Sequence, residues 1–178
     1  MRFRETPLKG AFVVELNRIE DDRGFFARSF CENEFSAHGL AERFVQCNVS
    51  FSHRVGTLRG MHYQQAPHAE DKLVRCTMGA VYDVIVDIRR DSKTYLKSFG
   101  LELSASSRTA LYIPRNFAHG FQTLSDDTEV FYQMSELYCA ESARGLRWND
   151  PALSIDWPLP NPIMSDRDHS YPLLPGKQ

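Results

Sequence analysis

Apolar and polar residues alternate through most of the middle of this chain. Residues 73–90 read LVRCTMGAVYDVIVDIRR. Val74, Cys76 and Met78 share one parity, Gly79-Ala80 supplies a turn, and residues 81–88 alternate again. This period of two is the one a β-strand imposes. Residues 101–103, 110–113, 117–123 and 129–134 give further short strands. Turn residues separate them about every 8 to 12 positions, the spacing of a sandwich or barrel. The best helix signal covers residues 33–39, short and ended by Gly39. No strand alternates with a long helix, and neither G-x-G-x-x-G nor a P-loop is present, which argues against a doubly wound nucleotide-binding sheet. The pattern predicts an all-β fold in a single domain over residues 1–178. Residues 151–178 are proline-rich but hold Trp157, Ile163, Met164, Tyr171 and four leucines, so this stretch is expected to pack across the body.

Composition narrows the function classes. The chain has 178 residues, 42% of them hydrophobic and 25% charged, with a formal net charge of -2. No global basic field draws in nucleic acid or an anionic membrane, so neither is expected as a partner. No apolar run approaches the roughly 20 residues that span a bilayer. The start, Met1-Arg2-Phe3-Arg4-Glu5, lacks the apolar core of a signal peptide, and a cytoplasmic location is expected. Cys31, Cys47, Cys76 and Cys139 are widely spaced without C-x-x-C and are expected to be free thiols.

The candidate chemistry begins with Leu58-Arg59-Gly60-Met61-His62-Tyr63-Gln64, a histidine near an arginine. Alone, it reads more readily as a structural histidine than as a base beside an anion site. A second segment, from Ile113 to Phe121, places His119 between an alanine and a glycine. Two such histidines on strands of one small β domain suggest a shared cavity. The pair raises the question of a metal. Cupin barrels bind iron, manganese or zinc through H-x-H with a later Glu and His, whereas this chain reads His62-Tyr63-Gln64. Two histidines alone make a poor transition-metal site, so no metal is expected. Tyr132 shares a strand face with Val130 and Met134, and a phenol on a cavity wall there is a candidate acid. Lys72 opens the strongest strand and, facing inward, would stabilise an oxyanion. Asp83 sits in the apolar run Val81-Tyr82-Asp83-Val84-Ile85 and needs a partner, either His119 or an arginine.

Taken together these segments resemble the dTDP-4-dehydrorhamnose 3,5-epimerase family. The likeness runs through Asp22-Arg23-Gly24-Phe25-Phe26, residues 44–48, the block from Leu58 to Gln64, Pro67-His68-Ala69 and Lys72-Leu73-Val74-Arg75. It continues through residues 83–90, Ile113-Pro114, residues 117–121, Arg144-Gly145, residues 147–151 and Ser165-Asp166-Arg167-Asp168. The resemblance implies a cupin-like double-stranded β-helix, or jelly-roll barrel, with short peripheral helices. It also implies a homodimer, no cofactor, and a nucleoside-diphosphate 4-keto-6-deoxysugar, dTDP-linked, as substrate in rhamnose and surface-polysaccharide synthesis.

By that resemblance His62 is the base that removes a proton next to the 4-ketone, with Asp168 holding its ring. Tyr132 is the acid on the opposite face, and Lys72 stabilises the enolate. His119 with Asp83 holds the sugar. Arg59 and Arg23 grip the diphosphate, Arg23 from its own or a neighbouring subunit. Gln46 and Asn48 offer amides to phosphate or ribose, and Tyr138 stacks on the base. The family often shows Phe-Phe-x-Glu-Ser-Phe where this chain reads Phe-Phe-Ala27-Arg28-Ser29-Phe30, and Asp71 stands where a small residue is common. The alternatives are a relative inverting only one of C3 and C5 on another nucleotide sugar, and a metal-dependent cupin oxygenase or isomerase.

Overall fold

A computed structural model describes residues 1–175. The chain runs through β1 (Arg2–Glu5), β2 (Phe12–Glu15), β3 (Ile19–Asp21), β4 (Gly24–Phe26), α1 (Glu32–Ser36), β5 (Gln46–Ser52), β6 (Leu58–Gln64) and β7 (Lys72–Met78). It continues through β8 (Ala80–Asp87), β9 (Ser98–Ser104), β10 (Ala110–Ile113), β11 (Phe117–Thr123), β12 (Thr128–Met134), β13 (Ala143–Gly145) and α2 (Asp166–His169). Two antiparallel sheets form the body. One has the order β1-β2-β10-β7-β12-β5, the other β13-β6-β11-β8-β9, and β3 and β4 make a separate hairpin.

The long alternating run divides at Gly79, as its pattern predicts, but its halves do not pair with each other. β7 lies in the six-stranded sheet and β8 in the five-stranded one. The chain changes layers within one residue, and Gly79 has φ 74°. A side chain there would start 2.5 Å from Thr128 Oγ1 and 2.6 Å from Ser125 Oγ, so glycine is required on both counts.

One parity of the central strands of both sheets points between them. Val13, Val74, Cys76, Val81, Ile85, Leu111 and Val130 form this inner core. The outer faces are covered as well. Phe35 from α1, with Phe3, Phe12, Phe30 and Phe44, packs over Leu73 and Tyr112 on the six-stranded sheet. On the other sheet, Leu146, Leu153, Trp157 and Leu174 cover Met61, Val84 and Val86. The C-terminal stretch therefore packs across the body, as its apolar residues suggest, although Leu173 stays exposed. The last three residues lie outside the described part.

The end of β8 is held by a polar knot. Asp87 is fully buried and accepts hydrogen bonds from Arg89 Nε (2.9 Å), Arg89 Nη2 (2.8 Å), Ser92 Oγ (2.6 Å) and Thr94 Oγ1 (2.7 Å). Burial alone would raise its pKa, but these donors outweigh it and hold the carboxyl at about 2. Because the folded pKa lies below the unfolded one, the knot stabilises the fold at neutral pH. That contribution fades as pH falls below about 4 toward 2. Asp87→Asn is therefore expected to lower the melting temperature by about 4–8 °C at pH 7. Thermal melts should show this gap closing near pH 2; a gap independent of pH would contradict the account.

Candidate active site

The two sheets enclose a cavity of about 380 Å³. The six-stranded sheet contributes Ser50, Lys72, Tyr132 and Met134 to its wall. The five-stranded sheet contributes Arg59, His62, His119 and Phe121, and the C-terminal segment adds Ser165, Arg167 and Asp168.

Strict alternation along β6 would send Arg59 and His62 to opposite faces. The pairing with β11 shows why it does not. His119 lies opposite His62 and Phe121 opposite Arg59, so two steps along β11 match three along β6. The extra residue is a bulge at Gly60 and Met61, and it turns both functional side chains inward. Gly60 has φ 137°, and a Cβ there would stand 2.5 Å from the Gly120 Cα. Only glycine allows the two strands this close approach.

His62 Nε2 lies 2.7 Å from Asp168 Oδ1. The other carboxylate oxygen accepts the Gly60 N–H at 3.2 Å. Asp168 reaches this place on α2, whose first turn is capped by Ser165 Oγ accepting the Asp168 N–H at 3.2 Å. The segment before it is tied down by backbone bonds from Leu58 N to Ile163 O (2.8 Å) and from Ile163 N to Gly56 O (3.0 Å). Behind it Tyr171 lies so close to Gly145 that an added Cβ would meet the ring at 2.1 Å. Burial pushes the Asp168 carboxyl up. The bonds from His62 and the Gly60 N–H outweigh that and hold it below the ordinary value. An ionised Asp168 only accepts, so Nε2 donates and the lone pair of His62 sits on Nδ1.

Tyr132 occupies the facing wall, on β12, with its ring against the inner core. Burial, helped by Glu70 and opposed by Arg59, pushes its phenol above the ordinary value and keeps it protonated. Lys72 lies beside it, in register with Met134. Its ammonium pairs with Glu70 Oε1 at 2.9 Å. Asp83 is fully buried behind His119, whose Nε2 lies 3.0 and 3.1 Å from its two oxygens. Of the two partners the sequence leaves open for Asp83, the histidine is the one found.

A protonated acid facing an imidazole–carboxylate pair across a cavity fits proton transfer on the two faces of one ligand. Comparison with known proteins gives the family. A model of dTDP-4-dehydrorhamnose 3,5-epimerase matches residues 5–175. The chain belongs to this family. It is 44% identical over 169 residues to the Shigella flexneri dTDP-4-dehydrorhamnose 3,5-epimerase, covering 94% of this chain and 93% of that one. Two crystal structures of dTDP-4-dehydrorhamnose 3,5-epimerases superpose closely. That from Elizabethkingia anophelis has a TM-score of 0.94 at 42% identity, covering 97% of this chain and 96% of the other. That from Bacillus anthracis, with TDP and PPi bound, has a TM-score of 0.93 at 44% identity, covering 97% and 99%. The all-β, cupin-like jelly roll expected from the sequence is thus the fold of this epimerase family member.

Other site residues expected in this epimerase-family chain fall in different places. Arg59 lines the cavity with its guanidinium tethered to Ser52 Oγ (3.2 Å) and Phe51 O (2.8 Å), leaving Nη1 without a protein partner among the described residues. Tyr138 lines the mouth and is half exposed. Gln46 and Asn48 share the inward parity of Ser50 but bond each other at 3.1 Å, and Gln46 Oε1 accepts the Tyr138 N–H at 3.0 Å. Neither is among the residues that line the cavity. Arg23 stands away from the cavity on the β3–β4 hairpin, 89% exposed and paired with Asp21. Gln64, where a cupin has its second histidine, donates to His68 O (2.9 Å) and Leu137 O (3.2 Å) and accepts the Cys139 N–H (2.6 Å). Arg28 pairs with Glu34 at 2.9 Å on α1, outside the cavity lining.

Three charged cavity residues had no role from the sequence: Glu70, Arg144 and Arg167. Arg167 precedes Asp168 and Arg144 opens the Arg144-Gly145 block, so adjacency was the available signal. With Arg59 and Lys72 they set four cationic side chains against Glu70 and Asp168, a lining suited to a diphosphate.

Proposed function

We propose that this protein inverts C3 and C5 of dTDP-4-keto-6-deoxy-glucose by proton removal and return next to the 4-ketone. The observation that carries the reading is the opposition of His62–Asp168 on one wall to Tyr132 on the other. Family membership supports the substrate, and the cationic lining suits its diphosphate.

His62 Nδ1 takes the proton from the carbon beside the ketone, and the electron pair moves onto the C4 oxygen as an enolate. The Lys72 ammonium stabilises that charge. Tyr132 then donates its proton to the opposite face of the carbon, and the electron pair returns from oxygen to carbon. The product carbon is inverted, His62 is left protonated and Tyr132 deprotonated, and both exchange with solvent before the next inversion. His119, oriented by Asp83, holds the sugar. Arg59, with Arg144 and Arg167 beside it, grips the diphosphate, and Tyr138 stacks on the base. Gln46, whose Oε1 accepts the Tyr138 N–H, and Asn48 offer their amides to phosphate or ribose.

The chain acts as one domain over residues 1–178 and pairs with a second copy. The hairpin supports this: it exposes Ile19 (70%) and Phe26 (73%) beside Arg23, which then serves the neighbouring cavity. Free cysteines support a reducing, cytoplasmic setting, and the product is destined for cell-surface polysaccharide. Among the described residues no helix is long and apolar enough to cross a membrane.

Proton NMR of dTDP-4-keto-6-deoxy-glucose with the enzyme in deuterated water tests the reaction. Deuterium is expected at both C3 and C5, with inversion. Exchange at one centre alone would restrict the enzyme to a single inversion, and no exchange at either would overturn the reading.

A further inference from the structure

Glu70 lies two residues before Lys72, with its side chain 3% exposed and Oε1 2.9 Å from the ammonium. The residue between them is anchored on the other side of the chain. Asp71 accepts from Tyr112 Oη (3.0 Å), Ser135 Oγ (3.1 Å), and the Arg115 N–H (3.1 Å) and Nη2 (2.8 Å). This clamp fixes the backbone where β7 begins, and strand parity then sends Glu70 and Lys72 together toward the cavity.

An ammonium has three N–H donors. In Lys72 one meets Glu70 Oε1 and a second is directed at the His62 carbonyl, 3.5 Å away. One donor remains for a ligand. Glu70 itself is not satisfied: Oε2 is buried and has no hydrogen-bond partner among the described residues. A buried carboxylate oxygen without a partner destabilises a fold, so packing alone does not account for the residue.

We propose that Glu70 is the positioning residue of Lys72, fixing its ammonium so that the remaining N–H meets the oxygen on which enolate charge develops. The inference rests on the catalytic reading of Lys72 and Tyr132 given above. Glu70 has a second effect, on Tyr132. Arg59 and His62 face that phenol from β6, His119 from β11, and Lys72 and Glu70 from the start of β7. After burial, the Glu70 charge is what raises the phenol, against the pull of Arg59. A phenol acts as an acid only while protonated, so activity falls as pH rises through its pKa. Removing the Glu70 charge moves that alkaline limb to lower pH.

The test compares wild type, Glu70→Ala and Glu70→Gln by kcat against pH on the keto sugar and by calorimetric titration with dTDP. The alanine variant is expected to lose roughly ten- to a hundredfold in kcat while its Kd for dTDP stays within about twofold. The glutamine variant keeps an acceptor for Lys72, recovers most of that loss at neutral pH, and shows the alkaline limb at lower pH. An alanine variant with wild-type kcat, or a glutamine variant with an unmoved limb, overturns the inference alone. Wild-type protein that leaves the substrate unchanged overturns the epimerase reading, and this inference with it.

Discussion

His62→Ala is expected to leave dTDP binding within about twofold of wild type and to lower solvent exchange at C3 and C5 by roughly 10³- to 10⁴-fold. The separation follows from the geometry. In the proposed reading the nucleotide meets Arg59, tethered to β5, with Arg144 and Arg167; none of these hydrogen-bonds His62. The ring removed is 43% exposed into the cavity, so its loss opens space without opening a core void. Calorimetry with dTDP and NMR exchange in deuterated water read the two effects separately. A variant that still exchanges at the wild-type rate would end the role given to His62.

The second large effect concerns stereochemistry rather than exchange. Tyr132→Phe keeps the ring that packs against the inner core and removes only the hydroxyl. With His62 intact, protons still leave the substrate and return from the same face. Deuterium therefore enters, while inverted product forms about 10²-fold more slowly. Comparing deuterium incorporation with product configuration in one NMR experiment separates these outcomes. Inversion at the wild-type rate would remove Tyr132 from the scheme.

Much of the scaffold was legible because side-chain parity is a strong signal. β10 and β11 coincide with the short strands read at 110–113 and 117–123, and the helix near 33–39 appears as Glu32–Ser36, one residue earlier and shorter. Parity says less about partners. The split at Gly79 is visible in the sequence, but the change of sheet is not, since a tight turn serves either. Nor does alternation reveal that Val84 and Val86, on the far face of β8, are covered by Leu153 and Trp157. The pairing of Asp83 with His119 was foreseeable because a carboxylate in an apolar strand requires a partner. Glu70 was not, because a charged triplet at a strand's start reads as solvated surface. Arg23 appears in a matching block, yet it sits on a hairpin that the cavity of its own chain does not reach.

The bulge in β6 also sets the strand's tolerance to insertion and deletion. Deleting the bulged residue would leave Arg59 and His62 two positions apart, still on one face of a regular strand, whereas inserting one residue with the bulge kept would put the two out of phase. Either the phosphate grip or the base would then face Leu146 and the outer layer, with no amino-acid type exchanged. A mutational survey confined to substitutions would miss this dependence, whereas a single-codon insertion beside Gly60 would expose it. Transplanting His62 and Arg59 into a regular barrel strand would require leaving the extra residue behind, because two positions apart they already share a face. In β6 the count of residues is as much a part of the site as their identity.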